Sequence, residues 1–159
     1  MSDARLRSLT EADADRLTAI LQQPGVARWW PGYDRARVQE ELVEAGDKTV
    51  WGIEAAGELV GAIQAWEEND EEFRHAGIDL FLDDARQGAG IGPAAIGMVV
   101  DTLRERGHHR LTIDPAAANH RAVRAYEKAG FRRVGVLRRY QRMPDGSWAD
   151  GLLMELVIE

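Results

Sequence analysis

Residues 82–93, Leu-Asp-Asp-Ala-Arg-Gln-Gly-Ala-Gly-Ile-Gly-Pro, place Gly88, Gly90 and Gly92 directly ahead of an apolar run at helical spacing. Glycine permits a tight turn and lets backbone approach a ligand closely, and the unpaired N–H groups of a first helical turn attract an anion at the positive end of the dipole. The chemistry implied is a cradle for a phosphate or pyrophosphate; the alternative is a turn that merely joins strand to helix. Pro93 follows Gly92, so the lysine of a P-loop is missing, and the glycine spacing is not the three-glycine dinucleotide fingerprint. Nucleotide hydrolysis and nicotinamide chemistry both lose ground.

The elements that must position this turn follow from periodicity. Residues 4–9 read as an opening strand, and Thr10 with Asp13 starts a helix whose Ala14, Leu17, Ile20 and Leu21 share one face. A loop from Gln22 through Trp29, Trp30 and Gly32 leads to Asp34, which can cap a second helix using Val38, Leu42 and Ala45 and ending at Gly46. Residues 49–55 and 59–66, joined at Ala56-Gly57-Glu58, predict a hairpin. Five carboxylates between Glu67 and Glu72 form an acidic loop ahead of a fourth strand at 77–82. Ile96, Val99, Val100 and Leu103 define a helix stopped by Gly107, and a strand at 110–114 follows. Asn119 can cap a further helix bearing Ala122, Val123, Tyr126 and Ala129, closed by Gly130. Strands at 131–137 and 152–158 finish the chain, bridged by 138–151 with a Pro144-Asp145-Gly146 turn. Strands and helices interleave without repeats or a linker, which predicts one α/β domain over residues 1–159.

With 27 acidic against 20 basic side chains, the net charge of -7 repels phosphate backbones and anionic lipid, so nucleic acid and membrane are not expected as partners. The absence of cysteine excludes disulfides, thiolate metal sites and a cysteine nucleophile. The opening Met1-Ser2-Asp3-Ala4 stretch lacks the apolar run of an export signal, and no stretch approaches the roughly 18 uncharged residues of a membrane span. A cytoplasmic protein is expected. His75, His108, His109 and His120 lack metal-ligand spacing, so no metal is expected. His108-His109 reads as a solvated turn, and His75 as a minor candidate for a base ahead of strand four.

Two segments carry a family resemblance. Gln87-Gly88-Ala89-Gly90-Ile91-Gly92 resembles the Q/R-x-x-G-x-G/A signature of the GCN-five-related N-acetyltransferase (GNAT) superfamily. Residues 119–131, which run from Asn119 through Ala122 and Tyr126 to Gly130-Phe131, resemble its second signature, N-x-x-A-x-x-x-Y-x-x-x-G-F. Trp29-Trp30, Gly77-Ile78-Asp79, Ile113-Asp114-Pro115 and the run from Tyr126 to Phe131 are similar to the aminoglycoside 6'-N-acetyltransferase branch. The superfamily resemblance spans nearly the whole chain. It implies a mixed, mostly antiparallel sheet of about seven strands, splayed between strands 4 and 5 and flanked by about four helices. Acetyl-CoA would lie in the gap with its pyrophosphate on the amides of Gln87, Gly88, Ala89, Gly90, Ile91 and Gly92, alongside Leu80, Phe81, Leu82 and Asn119. Pro93 removes one donor, although proline is favoured in a first helical position, so somewhat weaker cofactor binding is expected.

Acyl transfer from a thioester to an amine needs a deprotonated amine, a polarised carbonyl and a proton for the leaving thiolate. In the resembled fold Asp79 and Asp114 approach the gap, and either can be the base; on their own they read as a solvent-facing strand position and a turn residue before Pro115. Tyr126 reads first as a core residue with a polar tip. The resemblance makes it the donor of a proton to the sulfur. Asn119 is first a helix cap. The resemblance also assigns carbonyl polarisation to a backbone amide near Leu80 or Phe81.

Trp29, Trp30, Tyr33 and Trp66 border the acceptor side in the resembled fold, with Asp79, Asp114 and the acidic run beside them. Aromatic faces with carboxylates favour a cation, a role that competes with simple core packing and a solvated loop. The reading is an acetyl-CoA-dependent N-acetyltransferase, monomeric or dimeric, acting on a small cationic amine such as an aminoglycoside, with antibiotic resistance as a corollary. Alternatives are an acyltransferase for a protein N-terminus, a lysine or a siderophore amine, and a catalytically silent acyl-CoA-binding sensor. Arg132, Arg133, Arg138, Arg139 and Arg142 read as solvated strand faces, with the cofactor's 3'-phosphate or an acidic partner as the alternative.

Overall fold

The structure, a computed structural model, describes residues 3–159. Met1 and Ser2, part of the stretch searched for an export signal, lie outside the described residues. Seven strands form one sheet: β1 (Arg5–Ser8), β2 (Thr49–Ala55), β3 (Glu58–Glu68), β4 (His75–Leu82), β5 (Arg110–Ile113), β6 (Arg132–Arg142) and β7 (Trp148–Val157). Their order is β1-β2-β3-β4-β5-β7-β6, and among the described residues only the β4–β5 pair is parallel. This is the mixed, mostly antiparallel sheet the resemblance implies.

Helices cover both faces. Against one pack α1 (Ala14–Leu21), α2 (Pro24–Ala27) and α3 (Arg35–Val38), the last continued by a π turn over Gln39–Val43. Leu17, Ile20, Val38 and Leu42 bury against Leu59, Ala62 and Phe81 there. Against the other pack α4 (Ile91–Glu105) and α5 (His120–Lys128), where Ala95, Ile96, Val99, Leu103 and Val123 meet Ile63, Ile78, Leu80, Leu111 and Met154. The alternation of β4 decides the division: Leu80 and Ile78 point to α4, Phe81 to the α1–α3 face.

The caps form as their sequences dictate. Asp13 accepts the Thr10 N–H at 2.8 Å, Asp34 the Arg37 N–H at 2.8 Å and Asn119 the Ala122 N–H at 3.2 Å. Five expectations are corrected. Residues 24–27, expected as loop, form α2, because Pro24 takes the first helical position where its missing N–H costs nothing. Helix α4 starts at Ile91, so Pro93 stands third, still within the turn whose N–H groups have no helical partner. Residues 138–151 are not a loop: β6 reaches Arg142 and β7 starts at Trp148, leaving only Met143 to Ser147, with the Pro144-Asp145-Gly146 turn, between them. His108 is not solvated; it is 2% exposed, and its Nε2 lies 2.8 Å from Glu67 Oε1. Glu67 and Glu68 accordingly belong to β3 and not to a free acidic loop.

Candidate active site

Strands β4 and β5 pair at only two places, Ala76 with Leu111 and Gly77 with Thr112. Beyond them the strands part, and Asp79 and Asp114 stand two residues past the last pair, one on each side of the opening. A cleft of about 1280 Å³ runs through this gap. From the α1–α3 face come Trp29, Trp30, Tyr33 and Gln64; from the α4–α5 face come Gln87, Gly88, Gly90, Gly92, Asn119 and Tyr126. The two aspartates lie between.

The cradle is built from the turn upward. Gly88 and Gly90 both have φ near +81°, a left-handed backbone that side chains resist. The amides of Gly88, Ala89 and Gly90 have no carbonyl partner among the described residues. With the first turn of α4 they form an anion site of the kind a pyrophosphate occupies. Its base is anchored by Asp83, which is nearly buried and accepts from Arg16 at 2.7 Å, Gln23 at 3.2 Å and the Ala85 N–H at 3.0 Å. Burial pushes the Asp83 carboxyl up, but the hydrogen bonds from Ala85, Gln23 and Arg16 outweigh it and hold the group below its ordinary range. Gln23 also accepts the Asp84 N–H at 2.9 Å, so α1 and α2 fix the turn that carries the glycines. The arrangement fits a coenzyme A diphosphate without any metal-ligand set; among the described residues no group of three His, Asp or Glu is close enough to hold an ion.

Helix α5 adds charge that sequence reading passed over. Arg121, Arg124 and Lys128 recur at i, i+3 and i+7, are exposed, line the cleft and have no carboxylate partner among the described residues. Of the five late arginines only Arg142 lines the cleft; the others are exposed on β6, as expected for a solvated strand face.

The gap also sorts the backbone donors. Asp83 gives its N–H to the Val60 carbonyl on β3 at 2.7 Å, so alternation turns the Phe81 N–H toward β3 and those of Leu80 and Leu82 into the gap. Of the two amides expected to polarise a carbonyl, Phe81 is therefore committed to the sheet. Leu80 faces the gap and donates to Asp79 Oδ1 at 2.9 Å.

Burial, with the nearby charge of Asp114, pushes the Asp79 carboxyl up to about 7 against the opposing pull of the Leu80 amide and Lys48. Burial also raises Asp114, against the hydrogen bond it accepts from the Tyr140 hydroxyl. Tyr126 is 8% exposed and packs edge-on to Phe131 at 6.4 Å between ring centres. Burial and the two carboxylates hold its phenol far above the ordinary value, so it keeps its proton. A carboxyl raised toward neutrality, a protonated phenol and the unpaired amides of the glycine turn thus share one cleft.

On the acceptor side Trp30 packs against Phe81 at 5.0 Å and Tyr33 at 5.9 Å, while Arg28 lies 4.5 Å over Trp29. Three expected contributors are placed elsewhere. Trp66 does not line the cleft; it lies across Gly77, where a Cβ would come within 1.9 Å of its ring. No residue of the acidic run lines it either, and Glu67 is tied to Arg106 and His108. Ile91 and Ala89, expected through their backbone amides alone, keep those amides at the turn, although neither side chain lines the cleft and that of Ile91 is buried in the α4 core. His75 bonds the Phe73 carbonyl at 2.7 Å, outside the cleft. Gln64, Tyr140 and the Asp83 anchor were not found from sequence, because each acts through partners far away along the chain.

A sheet parted between two parallel strands, with an amide cradle on one face and an aromatic acceptor wall on the other, is the architecture of the acyl-CoA N-acyltransferases. Residues 4–132 match the acetyltransferase (GNAT) domain, and the chain belongs to that family. It is similar to an aminoglycoside N(6')-acetyltransferase type 1 of Klebsiella pneumoniae, 31% identical over 160 residues, covering 89% of this chain and 78% of that one. A probable N-acetyltransferase of Bacillus subtilis, YjcK, is 30% identical over 128 residues, covering 77% and 70%. The crystal structure of aminoglycoside acetyltransferase AAC(6')-Ib with coenzyme A and kanamycin superposes with a TM-score of 0.77 at 29% identity, covering 98% and 95%. The chain is an N-acetyltransferase with acetyl-CoA as its acyl donor. No helix of the described residues is long and apolar enough to cross a membrane.

Proposed function

We propose that this chain acetylates a primary amine of a small cationic acceptor, with an aminoglycoside 6'-amine as the leading candidate, by direct transfer in a ternary complex. The observation that carries the reading is the pair Asp79 and Asp114 at the mouth of the strand gap, facing Trp29, Trp30 and Tyr33. Two carboxylates recognise an ammonium group and the Trp30 ring stands beside them, while Trp29 and Tyr33 already carry Arg28 and Arg37 at 4.5 and 3.9 Å. The similarity to aminoglycoside acetyltransferases over 89% of the chain supports the same class of acceptor.

In this reading the amides of Gly88, Ala89 and Gly90 hold the diphosphate, and Arg121, Arg124 and Lys128 face the remaining phosphate charge. Asp79 accepts a proton from the acceptor ammonium, directly or through water. The freed nitrogen forms its C–N bond with the thioester carbonyl carbon. The Leu82 N–H, which faces the gap while that of Leu80 is held by Asp79, stabilises the charge that develops on the carbonyl oxygen. As the C–S bond breaks, Tyr126 gives its proton to the sulfur, and the surplus proton shed by the acylated nitrogen returns, directly or through water, to the tyrosine oxygen. Amine and thioester become amide and thiol.

The test is release of free thiol from acetyl-CoA with a panel of aminoglycosides, polyamines and N-terminal alanine peptides. Turnover with kanamycin-like sugars well above that with peptides is the expected result. Turnover confined to peptides would move the acceptor to a protein amine, and bound coenzyme with no release for any amine would make the chain a sensor.

A further inference from the structure

β6 is the edge strand of the sheet, two strands away from Asp114, yet it reaches that residue. Between Leu137 and Gln141 its register with β7 slips, and Arg139 within the slip takes φ +51° with its amide held by Asp150 Oδ1 at 2.8 Å. Such a bulge re-aims the side chain beside it. Tyr140 is turned across β7 at Gly151, where a Cβ would stand 2.9 Å from its ring, and its hydroxyl donates to the Asp114 carboxylate. Bulge, left-handed backbone and glycine all serve one contact in the cleft.

We propose that Tyr140 is a positioning residue for acetyl transfer: its hydroxyl fixes Asp114 as the standing anion of the carboxylate pair, so that Asp79 receives the proton of the acceptor amine. This rests on the reading of Asp79 and Asp114 as the acceptor carboxylates. Two neighbouring carboxyls in a partly desolvated cleft titrate as a coupled pair, and a donor bonded to only one decides which stays charged. The groups around the pair are Tyr126 on α5, Tyr140 on β6, Lys48 ahead of β2, and Tyr33 with Arg37 and Glu41 from the α3 side. Among them Tyr140 alone hydrogen-bonds a member of the pair through its side chain. The phenol is correspondingly pushed up to about 12, chiefly by that bond, and remains a donor across the working range.

The experiment is a pH titration of the aspartate carboxyls by carbon NMR on labelled full chain, with assignments from Asp79→Asn and Asp114→Asn. It compares the wild type with Tyr140→Phe, which keeps the ring and removes the donor, and with Gly151→Ala, which keeps the hydroxyl and displaces the ring. In the wild type the carboxyl that titrates near neutrality is expected to be that of Asp79. In both variants the Asp114 transition should rise by at least about half a pH unit, and the pH profile of kcat/KM for amine acetylation should shift with it. Superimposable carboxyl titrations would overturn the role of Tyr140 whatever the acceptor proves to be. A moved Asp114 titration with an unmoved kcat/KM profile would instead show that the pair lies outside the proton path, which overturns both this inference and the mechanism it rests on.

Discussion

In the proposed mechanism Asp79 serves as a base whose strength comes from its surroundings. A carboxyl held near 7 is half ionised where an ammonium must be relieved of its proton, whereas one of ordinary value is too weak to take it. Asp79→Asn is predicted to lower kcat/KM by about 10²-fold or more, with coenzyme affinity unchanged by calorimetry. The same substitution has a stability signature of fixed sign. The folded chain holds a proton on Asp79 that the unfolded chain has lost between about pH 4 and 7, so stability falls as pH rises through that window. Asp79→Asn should therefore be the more stable protein at pH 8, on the order of 4 kcal/mol by denaturant titration, and the advantage should vanish by about pH 4. Tyr126→Phe is predicted to lower turnover by about 10²-fold without weakening coenzyme binding, since the hydroxyl is needed only when the sulfur leaves. Unchanged turnover in that variant would remove Tyr126 from the reaction. That Asp79, Asp114 and Tyr126 would meet in the cleft was legible in the sequence because short motifs carry them. Tyr140 and Gln64 were not, since neither has a local partner: one reaches Asp114 across 26 positions, and the other faces Asp79 only through the β3–β4 register. Trp66 shows the converse, a residue type suited to the acceptor wall that is spent in covering Gly77.

At the level of elements, the cradle depends on a helix pair that does not touch the glycines. Arg16 on α1 and Gln23 ahead of α2 converge on Asp83, so the strand-to-helix turn is held from the opposite face of the sheet. Asp83→Ala leaves these donors without their acceptor, at a cost of about 1–3 kcal/mol in stability, and should weaken coenzyme binding by about tenfold while the pH dependence of turnover keeps its shape. Calorimetry with coenzyme A, alongside thermal denaturation, checks both. A coenzyme affinity equal to wild type would mean that the turn holds its form unaided. The sequence disclosed the strands and the long helices through periodicity and their ends through Asp34, Asn119, Gly107 and Gly130. It hid α2, which is a single turn too short for periodicity, and the reach of β6 and β7, whose exposed edge needs no apolar alternation. The burial of His108 was equally silent, because its partner Glu67 lies 41 positions earlier on another strand.

For the molecule as a whole, the parted strands set the order of events. Cradle and acceptor wall belong to opposite faces of one sheet and communicate only through the opening beyond Gly77 and Thr112. Coenzyme and amine can therefore be present together, and a covalent acyl-enzyme is unnecessary; the chain has no cysteine to form a thioester. In the proposed reading, Arg121, Arg124 and Lys128, exposed on α5 beside the cradle, draw the coenzyme's phosphates to that side of an otherwise acidic protein. The most direct test is the initial rate of thiol release with acetyl-CoA and kanamycin both varied. Ternary transfer predicts double-reciprocal lines that intersect. Parallel lines, or no release despite calorimetric binding of coenzyme A, would contradict it.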